Sequence, residues 1–451
     1  MTAVRNFPIE RRGTIAGISL ISLAADVLAV ALGATTLFTI HFVGDPPIAE
    51  IIVLFLVGPI FIAYRKRAFK VGVSKIYALM GFWLIGQILT DIYRQTAQID
   101  WLRGDAAIGF FFMDLVFFTM LLRGNERRKI LFISGLAVGA LVYARIVIDP
   151  VIDSHSWKLG YSVGMNLLAV LISCLFFKRR YYIVALGIFA GMAMINLLFN
   201  YRSAALILIL TAVLSVPVIP EQIGPWRVLP PHGSKRRLIV LVVLTLGAGL
   251  TALSAVDFLT SRGYLGEDAE SKNQTQSQVK GGLLVGGRPE ILVSSRAVMD
   301  SPILGHGSWA KDPHYMEMLD DALAESGLRN DPDVDEQFGS GLIPSHSHLM
   351  GAWVWAGILG ALFWAVVFWL VIRAIVQVAT RPSYLAPVYM YLLVLFAWDI
   401  LFSPFGTWRR LTEGALLVII LDLLKTVPHR SYLPQNLRAT TWRRGAFSSY
   451  R

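Results

Sequence analysis

The chain has 451 residues, of which 55% are hydrophobic and only 16% charged, with a mean hydropathy of +0.59. Soluble domains carry about 25% charged residues, so the composition argues against a soluble enzyme and rules out a disordered chain, a coiled coil and a disulfide scaffold; the single Cys174 can form no intrachain bridge. The formal charge of +11 would hint at nucleic acid in a soluble protein, but in a chain this apolar it reports topology first.

Crossing a hydrocarbon core of roughly 30 Å takes about 20 apolar helical residues. Twelve stretches meet or approach that length, near 14–40, 48–64, 71–90, 106–122, 130–147, 159–177, 181–199, 204–219, 238–256, 349–372, 384–401 and 411–426. The first is too long for the ~7–15-residue core of a signal peptide. Basic residues fill every second connection: Arg5, Arg11 and Arg12; Arg65, Lys66, Arg67 and Lys70; Arg123, Arg127, Arg128 and Lys129; Lys178, Arg179 and Arg180; Arg227, Lys235, Arg236 and Arg237; Arg373 and Arg381; and the tail from Lys425. The positive-inside rule makes those connections and both termini cytoplasmic. The expected architecture is an all-α polytopic membrane protein of about twelve transmembrane helices. Helices one to nine lie in 1–256, a non-cytoplasmic soluble segment in 257–345, helices ten to twelve in 346–426 and a basic cytoplasmic tail in 427–451.

The soluble segment holds fifteen Asp/Glu and seven Lys/Arg, a balance of −8 that leaves +19 for the rest of the chain. The basic surplus thus belongs to the inner face, and no nucleic-acid partner is expected. Within the segment, 288–300 predicts a helix ending before Pro302, 314–326 predicts an amphipathic one, and 266–280 is polar. Asp331, Asp333 and Asp335 lack the glycine and glutamate of a calcium loop and read as a solvated turn. Buried charges are expected at Asp26, Asp91, Asp114, Arg145 and Asp399.

The cations that break the orientation rule carry the functional signal. Arg202 opens span eight in Asn200-Tyr201-Arg202-Ser203; Arg288 sits in Gly286-Gly287-Arg288-Pro289; Arg409 and Arg410 precede span twelve; His346 and His348 precede span ten. Guanidinium groups bind phosphate oxygens in two-pronged fashion and stay charged, so their collection on one face predicts an anionic ligand there. Four of them have a plainer reading: headgroup contact for Arg202, headgroup contact or pairing with Glu413 for Arg409 and Arg410, and a capping or hydrogen-bonding role at the helix start for His348. Trp309 and Tyr315 read either as stacking platforms for sugar rings or as packing residues, and Ala356 and Gly360 as a site of close helix approach.

Three landmarks resemble the O-antigen ligase / O-antigen polymerase superfamily of GT-C-type membrane glycosyltransferases: Tyr201-Arg202-Ser203-Ala204; Gly287-Arg288-Pro289-Glu290-Ile291 followed by Asp300 to Gly307; and His346-Ser347-His348-Leu349 followed by Ala356-Gly357-Ile358-Leu359-Gly360. Ser347 stands where the family has Asn. The resemblance implies a bacterial inner-membrane enzyme with its site facing the periplasm. It implies a polyprenyl-pyrophosphate-linked glycan as donor, a second glycan or lipid A–core as acceptor, no cofactor and no metal. It also implies catalysis by Arg202, Arg288 and His346. The arginines would stabilise the leaving pyrophosphate and His346 would take the acceptor's proton; Arg409, Arg410, Tyr201, His348 and Trp309 would contact substrate. Membrane lipids and other polysaccharide-export proteins are expected partners. Polymerase is preferred to ligase for the long acidic segment. A peptidoglycan polymerase of the shape, elongation, division and sporulation family lacks these landmarks, and a lipid-oligosaccharide transporter is the reading from another class.

Overall fold

The computed structural model describes residues 20–40, 46–68, 72–147, 156–220, scattered positions from 222 to 262, and then 290–325, 341–381 and 383–425. Helices dominate these residues: α1 (Leu20–Thr35), α2 (Ile48–Ala68), α3 (Val73–Arg94), α4 (Gln98–Leu121), α5 (Glu126–Ile146), α6 (Ser162–Lys178, entered through the π-turn Ser156–Tyr161), α7 (Tyr182–Leu198), α8 (Arg202–Ser215), α9 (Glu290–Asp300), α10 (Pro313–Glu325), α11 (His348–Thr380), α12 (Ala386–Phe402) and α13 (Thr407–Leu423). The sole described strands are a two-residue antiparallel pair, Gln222–Ile223 with Trp226–Arg227. Eleven of the twelve expected stretches contain a described helix; the ninth, 238–256, is described only at scattered helical positions.

Among the described residues five helices are long and apolar enough to cross a membrane: Val73–Arg94, Gln98–Leu121, Glu126–Ile146, Ser156–Lys178 and His348–Thr380. Further apolar helices are shorter. Large apolar side chains such as Leu20, Phe55, Ile62 and Ile183 project outward, as they do in a helical membrane protein. Helix ends overrun the apolar runs. α4 starts at Gln98, eight residues before its expected start, and α11 continues to Thr380, about 50 Å of helix at 1.5 Å per residue. Hydropathy marks the part of a helix that can sit in lipid, whereas backbone hydrogen bonding carries the helix beyond it.

α1 and α5 run the same way with their backbones touching: a Cβ on Gly33 would lie 2.1 Å from the Phe132 carbonyl, one on Gly135 2.2 Å from that of Val30, and one on Gly139 2.2 Å from that of Ala34. Small residues four apart permit this approach. At the start of that pair Asp26 meets Arg127 and Arg128, each at 3.1 Å. Lys129, wholly buried, lies 2.8 Å from Glu126 and 2.9 Å from Asp422 of α13, and Tyr389 of α12 bonds Glu126. Lys178 sits 5.6 Å from the Tyr384 ring. The connections around Arg127, Lys178 and Tyr384 and the end of α13 thus gather at one end of the described residues. Among their basic residues, Arg123, Arg128 and Lys129 have internal ion-pair partners. Arg145, expected buried, is exposed at the end of α5.

The opposite end carries a second layer. Val293, Ala297 and Val298 of α9 pack with Tyr315, Leu319 and Leu323 of α10, with Ile343 and with Val354 of α11. The expected helices at 288–300 and 314–326 are therefore α9 and α10. The stretches 266–280 and 331–335 lie outside the described residues.

Candidate functional site

The turn between α9 and α10 is seated in a break in α11. Gly357 has φ 65° and ψ −153° in an otherwise helical run. In an unbroken helix the Val354 carbonyl would accept from Ile358. Instead Ile358 N–H donates to the Ile303 carbonyl at 3.1 Å, while His306 N–H donates to Val354 at 2.6 Å and Gly307 N–H to Trp355 at 3.1 Å. The inserted turn thereby satisfies backbone groups that the break exposes. A Cβ on Gly357 would fall 1.9 Å from the Ile303 carbonyl, so glycine is required for both φ and space. The close approach expected at Ala356 and Gly360 has two sources. Gly86 of α3 lies against the Ala356 carbonyl, whereas Gly360 faces its own chain, where a Cβ would lie 2.4 Å from the Ala352 carbonyl.

α3 holds the same turn from the side. Asp91 accepts from Ser308 N–H and Ser308 Oγ, both at 2.6 Å, and from Gln87 Nε2 at 3.2 Å. Arg94 donates to the Gly305 carbonyl at 3.0 Å and to Ser301 Oγ at 2.7 Å, and Thr90 bonds the Leu304 carbonyl. The buried charge expected at Asp91 is thus an anchor for the 301–308 turn.

Two clefts flank this junction. The inner, about 60 Å³ and mostly apolar, is lined by Trp83, Gln87 and Gly104 together with Ser345, Ser347, His348, Trp355 and Phe405. The outer, about 270 Å³ and polar, is lined by Arg94, Thr96, Asp100, His306, Trp309, Lys311 and Asp312 among others. Ser308 and Gln87, hydrogen-bonded at 2.7 Å, stand between them.

His348 is fully buried between Trp364, with ring centres 4.8 Å apart, and Phe405, at 5.5 Å. Its Nδ1 is 2.6 Å from the Ser403 carbonyl and its Nε2 bonds Glu413. A carbonyl can only accept, so Nδ1 carries a hydrogen and the Nε2–Glu413 bond shares one more. Both nitrogens being engaged, His348 offers no lone pair to a substrate. Of its two plainer readings the hydrogen-bonding one fits, while the cap is Ser347, whose Oγ accepts from Met350 N–H at 3.1 Å. Asp399 and Arg409 act electrostatically on Glu413. Arg409 is 3.6 Å from Asp399, and Tyr201 and Asp399 both act on Tyr391. His348 and Arg409 thus each face an acid, Glu413 of α13 and Asp399 of α12. Arg410 is elsewhere: buried, it forks onto Glu50 of α2 through Nε at 2.7 Å and a terminal nitrogen at 2.5 Å. Asp114 of α4 lies within reach of both charges.

His346 is half-buried between Ser345 and Ser347, two residues of the inner cleft. Arg202 is half-buried in the first turn of α8, which has no acidic residue. Arg288 lies outside the described residues. Trp309, with φ 51°, stacks on Trp355 at 5.6 Å in the wall of the outer cleft. Tyr315 is buried and donates to Asp300 at 2.9 Å, which corrects its reading as a sugar platform. Burial and the Asp300 carboxylate push its hydroxyl up to about 12. Sequence reasoning missed Glu50, Gln87, Arg94, Asp100 and Lys311. The first sits at the head of an apolar run, and the other four look like ordinary helix-end or loop residues until the fold brings the 301–311 segment to them. Among the described residues no three His, Cys, Asp or Glu side chains gather as a metal site.

No protein-family model matches the chain, and no curated protein or solved structure does either.

Proposed function

We propose that the chain is a membrane glycosyltransferase that moves a glycan from a polyprenyl-pyrophosphate carrier to an acceptor hydroxyl. In this reading it has about twelve spans, a GT-C-like arrangement, both termini in the cytoplasm and its site facing the periplasm of a bacterial inner membrane. The observation that carries the reading is the seating of the Ile303–Gly307 turn in the Gly357 break. Two of the three landmark segments, far apart in sequence, are one structural unit beside a cleft bordered by residues 345–348.

The chemistry follows from the residues. Arg202, at a helix start without acids, combines a guanidinium with the positive end of the helix dipole, a setting that favours an anion. Arg288 would be its partner on the pyrophosphate, where negative charge grows as the glycosidic bond breaks. His346 would accept the acceptor's proton, and Tyr201 and Arg409 would border the donor. The test is an in vitro assay with a lipid-linked repeat unit, with and without lipid A–core. Longer glycans without the core identify a polymerase, the form we favour, and product on the core identifies a ligase. Transfer undiminished by Arg202→Ala, Arg288→Ala and His346→Ala at equal protein level would end the assignment.

A transporter of lipid-linked oligosaccharide is the second reading. The broken helix α11 and the buried charges of Glu50, Asp114 and Arg410 favour it, since interrupted helices and intramembrane charges mark transport pathways. Transfer by purified protein in detergent, where no compartments exist, would exclude pure transport.

A further inference from the structure

We propose that the outer cleft is a subsite for neutral saccharide, separate from the residues that would hold the pyrophosphate; the proposal rests on the glycosyltransferase reading. The cleft's charges balance, with Arg94 and Lys311 set against Asp100 and Asp312. A diphosphate would meet two carboxylates there, whereas a polyhydroxylated neutral ligand finds donors and acceptors together. Arg94 is already committed to Gly305 and Ser301. Lys311, largely exposed and 3.9 Å from Asp100, leaves both partners open to exchange their contact for ligand hydroxyls. Thr96 adds a hydroxyl.

Trp309 supplies the apolar surface that a sugar ring's C–H face needs. Its backbone is left-handed, rare for a bulky residue, and is set by the anchored Ser308 before it and by stacking on Trp355. Its indole N–H has no acceptor among the described residues, although buried indole N–H groups usually find one. The exposed Arg103 guanidinium, 5.8 Å from the ring centre, is the group a sugar would displace, much as one π-facing ligand replaces another. The Gln87–Ser308 bond and the Trp309–Trp355 stack lie between this polar cleft and the apolar inner one, so a saccharide held here lies near the 345–348 segment.

The test uses the full chain purified in detergent, with two readouts. The first is retention on an array of short neutral bacterial oligosaccharides; the second is transfer kinetics from a lipid-linked repeat unit to a second repeat unit. Wild type should retain at least one glycan. Trp309→Ala, Asp100→Asn and Lys311→Gln should each weaken retention about tenfold or more and raise KM for the acceptor with little change in kcat. Trp309→Phe, which keeps a ring, should recover part of the binding. Lys311→Gln, at an exposed side chain, guards against misfolding of the tryptophan variant. No retention by wild type, or retention and KM unchanged in all three variants, overturns the subsite. If wild type retains glycan through these residues yet transfers none from any lipid-linked donor, the subsite stands and the glycosyltransferase reading falls.

Discussion

Arg410 and Glu50 form a buried ion pair, and the energetics of such pairs are asymmetric. Removing one member strands the other and costs about 3–5 kcal/mol, while replacing both with apolar residues of similar size is often neutral or better. Arg410→Ala should therefore lower the thermal unfolding midpoint in detergent sharply, and the double variant Arg410→Met/Glu50→Met should regain most of it. Asp114→Asn, which removes a carboxylate beside Glu50 without emptying space, should be tolerated. An equal loss in all three would contradict the buried-pair account. Tyr315 gives a pH-dependent counterpart outside the membrane helices. Its hydroxyl ionises near 10 in an unfolded chain and near 12 in the fold, so the fold disfavours the phenolate. That contribution is constant below about pH 10 and is lost as pH rises towards 12. Stability against pH should fall in that window for wild type and stay flatter for Tyr315→Phe, as read by proteolysis of the α9–α10 layer.

Among the elements, α11 is the informative one. Nothing in the hydropathy of 348–380 marks an interruption, because a break satisfied by an inserted turn stays as apolar as an intact helix. Gly357 was visible as a landmark but not as a kink, and the Asp300–Gly307 motif was visible but not as the piece that fills it. Gly357→Ala brings a Cβ against the Ile303 carbonyl and forces a residue with a side chain to a positive φ. It should expel the turn, and amide exchange at 303–307 should rise markedly while α3 and α4 stay protected. Unchanged exchange would mean the turn is held by α3 alone. The helices α9 and α10 were legible because their amphipathic period and the proline after Ser301 are local signals. The partners of Arg410, Lys129 and His348 were not legible. Each is set by contacts hundreds of residues away or across several helices, and a charge at a helix end looks the same in sequence whether it faces lipid headgroups or a buried acid.

At the scale of the whole molecule, the basic connections around Arg127 and Lys178 at one end of the described residues and the α9–α10 layer at the other make sidedness measurable. Cys174 is buried and should remain silent to thiol reagents. A cysteine at exposed Lys311 should react with a membrane-impermeant maleimide in intact spheroplasts, whereas one at exposed Arg127 should react only after permeabilisation. The reverse pattern would invert the proposed orientation, and the catalytic reading would go with it.

The anchoring of Ser308 by Asp91 has a consequence for biogenesis. The two residues are 217 positions apart, and at about 5–20 residues per second the ribosome needs roughly 10–40 s to make the second after the first. Through that interval the third helix carries a carboxylate and an arginine whose partners in the Ser301–Ser308 segment do not yet exist, Gln87 of the same helix being able to bond the carboxylate meanwhile. A stranded charge in hydrocarbon is expensive, so that helix should lodge at the translocon or the interface until the Ser308 segment emerges. Nascent chains arrested before residue 300 should therefore show helix three incompletely inserted and rapidly degraded, and chains arrested beyond residue 360 should not.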